Sequence, residues 1–502
     1  MMKSKSIFVL LMFILFLGGL TIHIYSESNR EDVSVSITHH SIKINGKILK
    51  YRAAAGYMPM KDEKDKPMAS IFFIAYTRED TRKDPARPIT FAFNGGPGAA
   101  ATGIHLGGTG PKIARSSKEG FPLPPPYQYV DNENTWLEFS DLVFVDPVST
   151  GYSRPAPGID RKKFHGVTED IQAVGDFIRL YVSKYQRWPS PIFLCGCSYA
   201  VQRCIGLAGY LQERYYMFPR GLVLLVGFLN CRASEFEPGL DLPYALHLPS
   251  YTAAAWYHKK LPEKYQKDLA TTLEEVEKWA LSEYLSALVK GDNISKNRRN
   301  IIIDKLSQYT GLDKNYIERS NLRILSDEFL KELLRDKKQT IGLYDCRYTI
   351  GNSNFPLGDP MYDALTDPSL ISICGTFGAV INHYIRTELK YVNNLPYELL
   401  NIKVHPWNWG SAIESKDNMT ETLHRAIKVN KYLKVMFING YYDIRVPYLS
   451  NSYAISHLDL PGPLRKNIIF KCYPAGHMMY INKPVFKELT NDARHFYLNF
   501  LE

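Results

Sequence analysis

Long apolar runs are nearly absent from this 502-residue chain, and their absence excludes a polytopic membrane protein. The single such run, Ile7 to about Leu20, is short for a span, follows Lys3 and Lys5, and gives way to the polar Glu27-Ser28-Asn29-Arg30. That is the layout of an export signal. Residues 1–26 are expected to be a signal peptide or, since Ile24 fits the small-residue rule poorly for a cut after Ser26, an uncleaved N-terminal anchor. An exported protein, periplasmic or secreted, is expected, with no membrane contact beyond that segment. Concentrated charge is lacking too: the net +10 comes from 61 basic and 51 acidic residues spread along the chain, so a mildly basic solvated surface is expected and no nucleic-acid partner. Cysteine is scarce. The seven residues, Cys195, Cys197, Cys204, Cys231, Cys346, Cys374 and Cys472, are odd in number, and four of them fall in or beside apolar strand and helix segments. No disulfide framework is expected, and no His/Cys set has the spacing of a zinc site, so no metal is expected. Internal repeats and low-complexity tracts are missing as well.

What is present is best read outward from Pro191 to Arg214. Ile192 to Cys195 is a short apolar run of buried-strand type, Gly196-Cys197-Ser198-Tyr199-Ala200 follows, and Val201, Cys204, Ala208 and Leu211 then recur at helical spacing. Strand, tight turn and helix is the setting of a nucleophile elbow, where a serine hydroxyl is exposed on strained backbone and its flanks must be small. Gly196 and Ala200 meet that demand.

The surrounding chain reads as an alternating α/β protein. Val33 to Tyr76 predicts antiparallel strands with Asn45-Gly46 as a two-residue hairpin turn. Further strands are predicted at Ile89 to Phe93, Leu142 to Val145 and Leu222 to Val226, with an amphipathic helix from Thr168 to Tyr185. Alternation of this kind means a mostly parallel central sheet. From about Arg232 to Lys390 the rhythm turns helical, including Leu273 to Leu288, Arg299 to Tyr309 and Asp327 to Arg335, before strands return at Leu433 to Ile438 and Asn467 to Tyr473. The expected organisation is residues 1–26 as signal or anchor, 27–231 as the first part of a core, 232–390 as an inserted helical cap, and 391–502 as the second part of the core.

A serine hydroxyl needs an imidazole to take its proton, and the imidazole needs a carboxylate to fix its tautomer. Ser198, Asp443 and His477 each fall in a turn just after a predicted strand, in the order Ser, Asp, His. They are the candidate catalytic residues. Asn94-Gly95-Gly96-Pro97-Gly98-Ala99-Ala100-Ala101 also follows a strand, and bare amides in such a turn suit an oxyanion or a phosphate. A dinucleotide fingerprint is the competing reading, but Pro97 sits awkwardly in it and no acid ends a second strand at the expected distance.

These residues resemble the serine carboxypeptidase family. Asn94 to Gly98 is similar to its N-G-G-P-G turn, Val145-Asp146-Pro147-Val148-Ser149-Thr150-Gly151-Tyr152-Ser153 to its D-x-P-x-G-T-G-[FY]-S segment, and Gly196 to Ala200 to its G-E-S-Y-[AG] elbow; Asn439-Gly440 through Asp443 and Gly476-His477-Met478 complete the set. His477-Met478-Met479-Tyr480 resembles the bacterial branch. The resemblance implies an α/β-hydrolase fold with a mixed, mostly parallel sheet and an inserted helical cap. It implies a peptide substrate cleaved at its C-terminal bond without cofactor, with Ser198 as acylated nucleophile, His477 as base then acid, Asp443 as its orienting partner, the Gly96 and Tyr199 amides as oxyanion hole, and Asn94 on the substrate carboxylate.

The sequence departs from that pattern where the carboxylate is held. Two glutamic acids of the family are here Cys197 and Gly108, and Val201 stands where a glycine is common. Arg203 and Lys112 are candidate cations in their stead. Without the acids, acid conditions are not required, and activity is expected to hold at neutral pH. An esterase or acyltransferase on the same three residues, or a binding protein on the scaffold, are the other readings, and nothing in the sequence assigns an oligomeric state.

Overall fold

The computed structural model describes residues 35–81, 84–351, 367–410 and 419–499. Three antiparallel strands come first, β1 (Ser36–Ile44), β2 (Lys47–Lys61) and β3 (Pro67–Arg78). Asn45 (φ 48°) and Gly46 (φ 81°) supply the two left-handed positions that a two-residue hairpin needs, which pins the register at Ile44 opposite Lys47. Six strands follow: β4 (Ile89–Phe93), β5 (Asp141–Val145), β6 (Ile192–Cys197), β7 (Gly221–Leu225), β8 (Lys434–Gly440) and β9 (Ile468–Tyr473). Their order in space is β1-β2-β3-β5-β4-β6-β7-β8-β9, with the short strand Arg154–Pro155 beside β3. From β5 onward every pairing is parallel. The β4 to β7 strands are buried along their whole length, as apolar runs covered on both faces must be.

Successive residues of β6 feed opposite layers. Ile192 and Leu194 join one cluster with helix α1 (Val167–Lys184) and helix α2 (Ala200–Tyr215), through Val174, Phe177, Val201 and Leu207. Phe193, Cys195 and Cys197 join the other. The inserted helices, among them α3 (Leu242–Tyr257), α4 (Leu269–Trp279) and α5 (Lys296–Thr310), have their own core around Tyr251, Leu273, Ile302, Leu306 and Phe329. Asp268 and Ser295 cap α4 and α5 by accepting from the Thr271 and Arg298 amides. The same core takes in Tyr442, Ile444, Tyr448 and Leu449, so the insertion is built onto the turn that holds Asp443.

One helix departs from the expected organisation. Helix α6 (Pro368–Thr387) falls inside the stretch 232–390 read as cap, yet Ile373, Phe377, Val380, Ile381, Tyr384 and Ile385 pack into the sheet's own cluster with Tyr76 and Ile104. The Tyr384 and Tyr76 hydroxyls meet at 2.8 Å. An amphipathic stripe announces a buried face without saying which core it meets. The small hairpin Gln339–Ile341 with Thr349–Gly351 was also outside the helical reading of this stretch. Among the described residues, three longer helices follow, α7 (Thr420–Val429), α8 (Tyr448–Ser456) and α9 (Lys483–Leu498). The segment read as signal or anchor, residues 1–26, lies outside the described residues. No helix among the described residues is long and apolar enough to cross a membrane.

Because α6 packs on the sheet, trimming it is felt by the whole core. Ile381→Ala, at a fully buried site, should cost about 2–5 kcal/mol in urea unfolding; a loss below about 1 kcal/mol would show that the helix is not docked there.

Candidate active site

The sheet brings the candidate residues to one edge. Cys197, Leu225 and Ile438 are in register across β6, β7 and β8, so Ser198, Asp443 and His477 follow the C-terminal ends of neighbouring parallel strands. Ser198 has φ 64°, a left-handed conformation that costs a non-glycine residue about 1–3 kcal/mol. Its amide is fixed by donating to the Leu225 carbonyl at 2.9 Å. The small flank read from the sequence is a steric necessity: a Cβ on Gly196 would run into the Ala200 carbonyl. Val201 does not crowd the turn, because Gly227 faces it and leaves the room its side chain fills.

Asp443 is fully buried. His477 Nδ1 lies 2.7 Å from its Oδ2, and its Oδ1 accepts from the Val446 amide at 3.0 Å. Burial pushes the Asp443 carboxyl up, against the pull of His477. The His477 amide donates to the Tyr344 carbonyl at 2.7 Å, and the Tyr344 ring stands edge-on to the imidazole with centroids 5.0 Å apart. The next residue, Asp345, presses against Gly476 and holds Arg347 through a 2.6 Å ion pair. Sequence reasoning missed this brace; its one signal was an acid and a base two residues apart in a stretch read only as cap.

The glycine-rich turn after β4 lies against the elbow. A Cβ on Gly95 would strike the Tyr199 amide nitrogen and come 2.8 Å from Ser198 Cβ. Gly96 (φ 99°) is exposed. Among the described residues, neither the Gly96 nor the Tyr199 amide donates to a protein acceptor, and Tyr199 directly precedes α2, where the partial positive charge of the helix end lies. The turn is held from behind by the chain after α6: Ala100 donates to Leu399 (3.1 Å) and Asn401 to Gly98 (2.9 Å). Asp146 ties it to β5, accepting from the Ala101 amide and the Tyr397 hydroxyl, both at 2.9 Å, with its carboxyl pushed up to about 7 by burial. That motif therefore does its work as scaffold.

Asn94 is half-buried beside this turn. Its Oδ1 accepts from the Ile104 amide at 2.8 Å and its Nδ2 donates to the Tyr480 hydroxyl at 3.2 Å. The two cations suggested by the sequence are elsewhere engaged. Arg203, 1% exposed, sits behind the elbow, donating through Nε to Asp170 (2.7 Å) and through Nη1 to the Asn94 carbonyl (2.8 Å). Tyr199 Oη donates to the same Asp170 oxygen at 3.1 Å. Lys112 pairs with Asp131 at 2.5 Å and with Glu388 at 3.8 Å. Both candidate cations are thus already paired within the protein. Cys197 is buried, and burial pushes its thiol up to about 12, far from the thiolate a nucleophile requires. All seven cysteines carry free thiols, and among the described residues no group of three or more His, Cys, Asp or Glu is arranged to hold a metal.

With this geometry in view, the comparisons with known proteins can be placed on the chain. Residues 43–210 match the model of the serine carboxypeptidase family. The matched stretch carries Asn94, Gly96, Ser198 and Tyr199, while Asp443 and His477 lie beyond it. The pheromone-processing carboxypeptidase KEX1 of Saccharomyces cerevisiae is 31% identical over 159 residues, 30% of this chain and 21% of that protein. The protein of the same name from Candida glabrata is 26% identical over 153 residues, 30% of this chain and 18% of the other. This chain therefore spans about a fifth of the length of the curated relatives it matches. The crystal structure of KEX1(delta)p, a prohormone-processing carboxypeptidase from Saccharomyces cerevisiae, aligns over 89% of this chain and 91% of its own with a TM-score of 0.54 at 18% identity. At that identity the likeness speaks for the shared α/β-hydrolase fold.

Arg203→Leu tests the strut behind the elbow. It would leave Asp170 buried without its partner, and stability should fall by about 3–5 kcal/mol in denaturant titration; a loss within about 0.5 kcal/mol would show that the pair braces nothing.

Proposed function

We propose that this chain is a serine-type carboxypeptidase that hydrolyses C-terminal peptide bonds through an acyl-enzyme. The observation that carries the reading is the buried 2.7 Å contact of His477 Nδ1 with Asp443, at the sheet edge where Ser198 stands on its strained elbow. Held by the carboxylate at Nδ1, the imidazole presents Nε2 as the free base. Ser198 Oγ attacks the scissile carbonyl carbon as His477 takes its proton. The carbonyl oxygen, now negative, is received by the Gly96 and Tyr199 amides. Collapse of the tetrahedral species breaks the C–N bond, His477 returns the proton to the leaving amine, and water repeats the sequence on the ester. The family match over Asn94 to Tyr199 and the naming of the yeast relatives as carboxypeptidases support the exopeptidase reading.

Finer points belong to the same proposal. The chain is exported, on the pattern of residues 1–26; the helices from Arg232 on act as a cap, with α6 assigned to the core. The bacterial placement rests on His477-Met478-Met479-Tyr480, whereas the relatives described above come from yeasts. Esterase or acyltransferase chemistry on the same residues is favoured by one observation, that Cys197 and Gly108 stand where the resemblance puts acids.

Ser198→Ala and His477→Ala should each lower kcat for a blocked dipeptide by at least about 10⁴-fold and abolish fluorophosphonate labelling. Cys197→Ser should stay active; complete loss there, matched by iodoacetamide inactivation, would make the thiol the nucleophile. Ester turnover without peptide turnover would decide for the esterase reading.

With no glutamic acid at positions 197 and 108, peptide hydrolysis should rise from acid to neutral pH and hold there. A rate profile peaking at about pH 4 to 5, the range of proton-sharing carboxylates, would contradict this and require another acid in the site.

A further inference from the structure

The ring of Tyr480 lies in a slot made by missing side chains. A Cβ on Gly107 would lie 2.6 Å from its Cδ2, one on Gly108 would lie 2.7 Å from its Cβ, and one on Gly103 would lie 2.8 Å from its hydroxyl oxygen. All three glycines belong to the segment that follows the glycine-rich turn. The phenol is 2% exposed, and among the described residues its oxygen reaches Asn94 Nδ2 at 3.2 Å and Cys197 Sγ at 3.9 Å. Positions 108 and 197 both lie against Tyr480, position 108 at its Cβ and position 197 at its hydroxyl. A side chain at 108 would run into Tyr480 Cβ and the Phe486 ring.

The consequence falls on Asn94. An Asn carboxamide can turn either end outward, and here both ends are assigned. Ile104 N–H occupies Oδ1, and Tyr480 Oη accepts one of the two Nδ2 hydrogens. What is left on the half-buried side of the residue is the second N–H, a donor. Asn94 precedes Gly95, which packs so closely on the elbow that a Cβ there would strike the Tyr199 amide and Ser198 Cβ, so the residue carrying this donor is next in the chain to that contact.

We propose that Tyr480 is a positioning residue for terminal-carboxylate recognition: with the Ile104 amide it locks the Asn94 carboxamide with an N–H presented to the carboxylate of a peptide's last residue. The recognition so built uses a neutral donor, and the acid is preferred over a C-terminal amide because a hydrogen bond to a charged carboxylate oxygen is stronger than one to a neutral carbonyl. This rests on the peptidase reading, and its test is made independent of turnover.

In the Ser198→Ala chain, binding of an N-acyl amino acid is compared with binding of the corresponding amide by calorimetry. The acid should bind more tightly. Tyr480→Phe keeps the ring and removes the oxygen, and the acid-to-amide affinity ratio should fall roughly tenfold, the effect of one hydrogen bond to a charged group. Asn94→Ala should lower the ratio at least as much, and the double variant should match Asn94→Ala alone, because Tyr480 acts only through Asn94. In the otherwise unaltered chain, Tyr480→Phe should raise KM for free-acid peptides more than it lowers kcat. An unchanged ratio in Tyr480→Phe, effects that add in full in the double variant, or equal binding of acid and amide by the starting chain would each overturn the proposal. Fluorophosphonate labelling of Ser198 in the unaltered chain reports on the hydrolase reading separately: labelling without acid preference defeats the positioning role alone.

Discussion

Three backbones crowd against Ser198 in a way that a side chain on any of them would forbid. Gly95, Gly196 and Gly227 follow or end β4, β6 and β7, and a Cβ on each would meet the elbow: the Tyr199 amide, the Ala200 carbonyl and the Ser198 carbonyl, respectively. The left-handed backbone of Ser198 is therefore imposed from three sides rather than tolerated. Strain of this kind persists only where the surroundings over-determine it, and here they do so by central position, since β6 has β4 and β7 as its two neighbours in the sheet. The same closeness sets Gly95, which precedes Gly96, against the Tyr199 amide, so whatever fixes the elbow also fixes the turn that carries Gly96.

Around that point several buried polar pairs tie together segments distant in sequence. Asp170 and Arg203 tie α1 to α2 and, through the Asn94 carbonyl, to the turn after β4. Asp345 and Arg347 bear on Gly476 just before His477. Asp443 and His477 join the turns after β8 and β9. Buried ion pairs add little net stability over apolar side chains of the same volume, but removing one partner is costly because the other is left charged in a poor dielectric. Their contribution here is register: they fix which loop meets which, at an edge where loops would otherwise be free to vary.

The sheet and the Ser, Asp and His turns were legible in the sequence because each rests on local chemistry. Asn45-Gly46 can make only a tight hairpin of this hand, and four short runs buried on both faces read as central strands without further information. Ser198, Asp443 and His477 stood out because each lies in a turn just after a predicted strand. What stayed illegible depends on which surface a residue meets. The stripe of α6 is as apolar as that of any cap helix, and only the fold shows it against Tyr76 rather than Tyr251. Arg203 read as a free cation since nothing in its own helix announces Asp170 of α1. Tyr344, Asp345 and Arg347 belong to a segment whose nearest functional neighbour lies far along the chain.

Position 108 shows the same limit from the other side. Taken alone, a glycine in place of an acid is a loss, and Cys197 beside the serine is a second one; together they suggest a site that has given up holding a carboxylate. In the folded chain both positions lie against a third residue: the Tyr480 ring rests on Gly107, its Cβ on Gly108, and its hydroxyl lies within reach of Asn94 and Cys197. An ionised glutamate next to that hydroxyl would have to be desolvated among Cys195, Cys197 and Phe486, all buried, at a penalty of several kcal/mol. A phenol that burial keeps protonated brings an oxygen to the same place without that penalty. On the carboxypeptidase reading proposed above, a tyrosine beside the positions where the resemblance puts acids changes the proton demand of the site while leaving Asn94 a partner.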